Sequence, residues 1–194
     1  MRNVLIVLVL LVVALVGFIQ TRPATFHIER SAVVSADPAV ITAHIADFHA
    51  WGDWSPWEKL DPAMKKTFTG DPGAVGSTYS WVGNDKVGEG KMTITDVKPG
   101  QSVTLQLDFI KPFASSNVTT FNVAPEGQGA KVTWNMDGKN NFMSKTMSLF
   151  MNMDSMVGPD FERGLATLKT VAEAAPAAAV PAAAADSAAA TTTK

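Results

Sequence analysis

A chain of 194 residues without cysteine has no disulfide, no thiol nucleophile and no cysteine-based metal site. Its formal net charge of -2 and the lack of any basic patch interleaved with aromatics argue against nucleic acid as a partner. Hydrophobic residues make up 46% of it, and their distribution divides the chain into three parts.

The first part, residues 1–24, holds an unbroken apolar run from Val4 to Ile19. As a helix it spans roughly 24 Å, a little short of the ~30 Å hydrocarbon core, which leaves it between a signal-peptide core and a spanning helix. A processing site needs small residues at the minus-three and minus-one positions. Ending at Gly17 puts Leu15 at minus three, and ending at Ala24 puts Arg22 there. The expectation is an uncleaved signal anchor that meets the membrane through residues 4–19, with a cleaved signal as the alternative. Arg2 on one side and Arg22 and Arg30 on the other do not settle orientation by charge. With so short a leading segment, the expected placement is a single-pass anchor, as in a bacterial inner membrane, with the domain on the extracytoplasmic side.

The second part, residues 25–173, is long enough for one domain with its own core. Phe26 to Ser35 alternates, with Phe26, Ile28, Ala32 and Val34 on one face, and predicts a half-buried strand. Asp37-Pro38 then supplies an N-cap and a first-turn proline, and Ile41, Ile45 and Phe48 follow at helical spacing. The segment around Trp51, Trp54 and Trp57, broken by Gly52 and Pro56, reads as an irregular helical turn. From Lys65 the chain reads as hairpins, punctuated by Gly70-Asp71-Pro72-Gly73, Gly83-Asn84-Asp85, Lys98-Pro99-Gly100 and Glu126-Gly127-Gln128-Gly129.

Two strands define the faces of that sheet. Val103, Leu105, Leu107 and Phe109 alternate with Thr104, Gln106 and Asp108, and Val132, Trp134 and Met136 alternate with Thr133, Asn135 and Asp137. One face is covered and one is wet. By the same parity Tyr79, Trp81, Met92, Ile94, Phe121 and Val123 lie on the covered side. The last element reads as a helix in two halves, with a methionine-rich stretch from Phe142 to Met156. Gly158-Pro159 marks the break, and Asp160 is expected to cap a second half carrying Phe161, Leu165 and Leu168. The third part, residues 174–194, is almost all Ala, Pro and Thr and is expected to be a disordered tail.

Ionisable groups give little sign of chemistry. Glu29, Glu89, Asp108 and Asp137 fall opposite the apolar rows and read as solvated charges. His27, His44 and His49 show no metal-ligand spacing, so no metal and no cofactor is expected. Asp53, Ser55 and Glu58 sit among the tryptophans, where a stapling role competes with that of a ligand gate. The stretch GDPGAVGST at 70–78 lacks the lysine of a phosphate loop, and Asn117-Val118-Thr119 matches a glycosylation sequon of a kind that arises often by chance.

Read together, WGDWSPWEKLDPAM, GSTYSWVGN at 76–84, VGEGKMTI at 87–94, KVTWNMDG at 131–138 and MVGPDFERGLATLK at 156–169 resemble the polyketide cyclase/dehydrase group of the SRPBCC (START-like, Bet v 1-like) superfamily. Many members of that group also begin with a single hydrophobic anchor. The resemblance covers roughly Phe26 to Glu173. It implies an α+β helix-grip fold: a curved antiparallel sheet of about seven strands wrapped on a long C-terminal helix. A deep apolar cavity between them would take lipids, polyketides or other hydrophobic molecules.

Parity then nominates Tyr79, Trp81, Met92, Leu105, Leu107, Trp134 and Met136 as cavity lining, with Met147 and Met151 from the helix. Gly88 and Gly90 share the parity of Met92, and either leave room for a ligand or mark a bulge. The methionines either form a lid over the cavity or pack in the core. The expected function is membrane-tethered binding of a hydrophobic small molecule or lipid. An enzyme of the cyclase, dehydrase or hydrolase kind, assisted by Tyr79, is the alternative, and a module filled by its own side chains is the third.

Overall fold

The computed structural model describes residues 1–175. The tail expected from residue 174 therefore lies outside the described residues except for Ala174, which ends the last helix, and Ala175. The chain runs α1 (Arg2–Gln20), β1 (Thr25–Val34), α2 (Pro38–Ala46), a 3-10 turn (Phe48–Ala50) and α3 (Trp51–Trp54). There follow β2 (Lys65–Thr69), β3 (Thr78–Val82), β4 (Glu89–Lys98), β5 (Ser102–Lys111), β6 (Ser115–Glu126), β7 (Gly129–Lys139), α4 (Phe142–Met147) and α5 (Met153–Ala174).

The seven strands form one antiparallel sheet in the order β1-β7-β6-β5-β4-β3-β2. Turn chemistry between consecutive strands dictates that order, because short connections allow only neighbours to pair from β2 to β7. β1 closes the far edge by pairing with β7, Ile28 opposite Met136 and Val34 opposite Ala130. The covered face carries Tyr79, Trp81, Met92, Ile94, Val103, Leu105, Phe121, Val123, Val132, Trp134 and Met136, all buried. On β4 a register shift between Ile94 and Asp96 changes the parity, so that Val97 faces Val103 and packs on the core as well.

A second irregularity, between Glu89 and Gly90, decides the role of the two glycines. A side chain on Gly90 would collide with the Trp81 indole, and Gly88 turns with φ +66° beneath the Lys111 carbonyl. Both mark the bulge and its turn, and Trp81 occupies the space that Gly90 leaves.

The helices attach where caps and apolar faces direct them. Asp37 accepts the Ala39 N–H at 2.7 Å and Pro38 opens α2, which buries Ile41 and Ile45. Asp47 then caps the turn into α3 by accepting the His49 N–H.

The final helix departs from expectation. The break falls at residues 148–152, Asn152 caps α5 by accepting the Asp154 N–H at 2.9 Å, and the helix continues through Gly158 and Pro159. Gly158 is a slot rather than a breaker. The Arg30 guanidinium from β1 lies where a side chain at 158 would be. Arg30 grips Asp154 through two nitrogens at 2.8 and 2.9 Å and reaches Glu162 at 2.8 Å. Asp160 pairs with Arg163 instead of capping a helix. Phe161, Leu165, Leu168 and Ala172 form the buried stripe of α5.

α1 is exposed along its apolar length, and among the described residues it alone is long and apolar enough to cross a membrane; a signal sequence has the same properties. Its C-terminal end is tied to the α4 region. Arg22 donates to the Ser148 carbonyl at 3.2 Å and Lys145 to the Gln20 carbonyl at 3.2 Å.

Two outcomes test this packing. Gly164 approaches the sheet so closely that an added Cβ would stand 2.7 Å from the Trp134 ring and 3.2 Å from Pro56. Gly164→Ala is expected to destabilise the domain by about 1–3 kcal/mol despite alanine's better helix propensity. Gly52→Ala, with open space around it, serves as the neutral control in the same urea titration.

The second outcome concerns acid. Arg30 holds the Asp154 carboxyl below its ordinary pKa, and the Ser35 N–H does the same for Glu173. Depressed carboxyls stabilise the fold above their unfolded pKa values and lose that contribution as protons bind. Thermal stability is therefore expected to fall below about pH 4, and Asp154→Asn to flatten that part of the profile.

Candidate functional site: an apolar cavity under the last helix

The covered sheet face, the tryptophan turn and the start of α5 enclose a cavity of about 310 Å³. That lies within the ~300–1,000 Å³ usual for small-molecule sites. Its back is built from Trp81, Met92, Leu107, Phe109, Met136 and Phe26 on the strands, and its roof from Val157 and Phe161 on α5.

The tryptophans divide their work. Trp51 and Trp54 donate their indole N–H groups to the Ile45 and His44 carbonyls at 2.9 and 3.3 Å, and both meet Phe121 edge to face. They staple α2 and α3 to the sheet. Trp57, half-buried, lies edge-on to Trp134 and Phe161 and forms part of the cavity wall.

Of the expected lining residues, Tyr79, Trp81, Met92, Leu107, Trp134 and Met136 come together on this wall. Leu105 does not. It sits opposite Ile94 and Thr119, fully enclosed in the core, on the side of the sheet that α2 covers. Met147 and Met151 are also elsewhere. They line a second hollow of about 410 Å³ together with Arg22, Phe113, Met143 and Met156, next to the end of α1. The two hollows share Phe26, Ser115, Ser144 and Met153. The methionines of this region are exposed, so core packing is not their role.

The cavity wall also carries polar groups that parity did not nominate. Glu58 has only 7% of its side chain exposed, and it pairs with Lys66 while accepting the Tyr79 hydroxyl at 2.6 Å. Burial, with the Glu58 charge beside it, pushes the Tyr79 phenol far above its ordinary range, so it stays a neutral donor. The sequence marks Glu58 only as one of three polar residues among the tryptophans, because the chain after Pro56 has no period from which a face can be read.

On β6, Asn117 and Thr119 point inward and are buried, with Ser115 at the rim. Counting back in twos from Phe121 would have found them; the polar residue types concealed it. Burying such groups unpaired costs about 1–3 kcal/mol each.

Two titratable groups elsewhere have structural roles. Asp61 accepts the Asn84 and Ala63 N–H groups, and exposed His27 bonds Asp137 at 2.7 Å. Among the described residues no group of three His, Asp or Glu side chains is placed to hold a metal ion.

A helix-grip domain with an internal apolar cavity is thus the class that fold and site define. The chain matches the family model described as polyketide cyclase / dehydrase and lipid transport over residues 25–173, and it belongs to that family. Among curated proteins no sequence matches it. Solved structures are similar at low identity. Truncated norcoclaurine synthase from Thalictrum flavum is 16% identical with a TM-score of 0.56, over 78% of this chain and 96% of that one. Major latex-like protein 151 from Panax ginseng is 16% identical with a TM-score of 0.54, over 77% and 99%. Protein CV1439 from Chromobacterium violaceum is 17% identical with a TM-score of 0.55, over 78% and 98%. At these identities the likeness is one of fold.

Tyr79 is the single tyrosine of the chain, so phenolate absorbance near 295 nm reports it alone. No phenolate is expected at about pH 10, where a free tyrosine ionises, until the domain unfolds. Glu58→Gln is expected to lower the ionisation pH, since it removes the negative charge. Titration of the native protein like a free tyrosine would contradict the Glu58 contact.

Proposed function

We propose that this chain holds a hydrophobic small molecule or lipid in the cavity beneath α5 while α1 tethers it to a membrane. In this reading residues 1–24 are the tether, 25–173 the binding domain and the remainder a tail. The observation that carries it is the cavity itself, about 310 Å³ behind a largely apolar wall, in a family whose description includes lipid transport.

The position of the tether supports it further. Arg22 and Lys145 fasten the α4 region to the end of α1, and the second hollow opens there beside exposed Met143, Met147 and Met151. Phe150, 84% exposed, projects from the same segment. An apolar molecule dissolved in the bilayer would meet this mouth first, and the methionines offer it an adaptable surface.

An enzymatic reading has one observation in its favour: a carboxylate, Glu58, with a neutral phenol, Tyr79, on an apolar wall. Binding is the better supported function because the Glu58 carboxylate is held by Lys66 and Tyr79, and among the described residues no Asp, His or second Glu lines the cavity to work beside it. General acid–base chemistry needs such ionisable groups presented to the substrate.

The test uses the full chain in lipid nanodiscs and a displaceable fluorescent fatty-acyl probe. Leu107→Trp, which fills the cavity from β5, is expected to weaken probe binding at least tenfold, about 1.4 kcal/mol, with the circular dichroism spectrum unchanged. Undiminished binding in a folded Leu107→Trp protein would place the probe outside the cavity and count against the proposal. Retention of the chain in membranes after a carbonate wash tests the tether separately.

A further inference from the structure

One wall of the cavity carries polar atoms that nothing in the protein satisfies. Asn117 Oδ1, Thr119 Oγ1 and the Trp134 indole nitrogen are all buried without a hydrogen-bond partner, and all three residues line the cavity. Asn117 and Thr119 are each 4% exposed. Their inward placement runs against hydrophobicity, because Val118 between them faces outward at 44% exposure.

Register enforces the arrangement. Asn117 lies opposite Leu107 and Gly138, Thr119 opposite Leu105 and Met136, and Phe121 opposite Val103 and Trp134. A slip of one residue would bury Val118 and free both polar groups, but it would also expel Phe121 and Val123 from the core. Gly138 completes the site, since any side chain there would overlap the Asn117 amide oxygen. The amide nitrogen has Ser115 Oγ at 3.4 Å, which leaves the oxygen without a donor.

Buried polar atoms in folded proteins are nearly always paired, so a group of three on one cavity wall points to a partner supplied by the ligand. Resting on the binding function proposed above, we infer that the β6–β7 wall is a polar recognition subsite. Its ligand is an uncharged hydrophobic molecule whose hydroxyl or carbonyl oxygen lies against Asn117, Thr119 and Trp134. The Trp134 N–H can only donate, the Thr119 hydroxyl donates or accepts, and the Asn117 oxygen accepts. A ligand hydroxyl accepts from Trp134 and donates to Asn117 or Thr119. A ligand carbonyl accepts from Trp134 and Thr119.

A carboxylate suits this wall less well. The Asn117 oxygen opposes it, and the lining cations, Lys86 and Lys139, are exposed at the rim. A pure hydrocarbon would leave all three polar atoms unpaired.

The experiment compares 1-decanol with 1-chlorodecane, equal in length but with a chlorine that neither donates nor accepts well. Both are bound to the full chain in phosphatidylcholine nanodiscs, with empty discs subtracted. The alcohol is expected to bind roughly tenfold more tightly and to shift the Trp134 indole N–H resonance, assigned with Trp134→Phe. Thr119→Val is expected to reduce the preference toward one. It should weaken 1-decanol binding, keep or strengthen 1-chlorodecane binding because the wall becomes more apolar, and leave thermal stability equal or higher, because an unpaired hydroxyl is gone. Equal affinity of the native chain for both probes, or an unchanged preference in Thr119→Val, overturns the subsite while leaving cavity binding intact. Binding of neither probe removes both proposals.

Discussion

Trp134 lies face to face on Phe161, with ring centroids 4.1 Å apart and planes 9° from parallel. That contact joins the sheet to the last helix. From it the packing spreads in both directions, to Phe121 on the neighbouring strand, to Trp54 and Trp57 in the aromatic turn, and to Gly164 one turn further along α5. Gly164 sets how near α5 approaches the sheet, and the flat stack fixes its rotation about its own axis. Beyond Phe161 toward the start of α5 the partners are smaller or flexible, Val157 and Met153, and there the layers part to form the cavity. The void is a consequence of where the aromatic stack stops.

The Arg30 clamp keeps that gap from closing. Because Gly158 admits the guanidinium and Asp154 and Glu162 bind it, the first turns of α5 are attached to the edge strand β1. The roof of the cavity is thus held from the side, by a polar contact, rather than by side chains filling the space beneath it. Apolar packing alone would favour collapse of the helix onto the sheet, since unfilled space forfeits dispersion contacts.

Period-2 alternation made the sheet readable. Val103 to Phe109 and Val132 to Met136 mark the covered face without ambiguity, and hairpin turns give the neighbours. The register shifts on β4 were less legible, because a bulge leaves no mark in composition beyond a glycine. Period also says which face a residue takes, but not how far along the strand the cavity extends, which is why Leu105 and Leu107 could not be separated. The interruption of the last helix was misplaced for a related reason. Gly158-Pro159 has the chemistry of a breaker, yet Gly158 faces Arg30, and Pro159 lies on the exposed side of α5, where water can meet the Ser155 carbonyl that its missing N–H leaves unbonded. The face that Glu58 takes was hidden by an aperiodic turn, and the inward placement of Asn117 and Thr119 by the assumption that inward means apolar.

Those last three residues bear most directly on what the cavity can do. Glu58 stands on one wall with its charge already neutralised by Lys66 and its second oxygen occupied by Tyr79, so it contributes rigidity and little unmet demand. Asn117 and Thr119 stand on another wall, on a strand held from both sides, with their demand unmet. Burying these groups unpaired lowers the stability of the empty domain. Under the proposed binding function, the apolar walls would set how tightly a hydrophobic molecule is held, and the polar β6–β7 wall which end of it enters first.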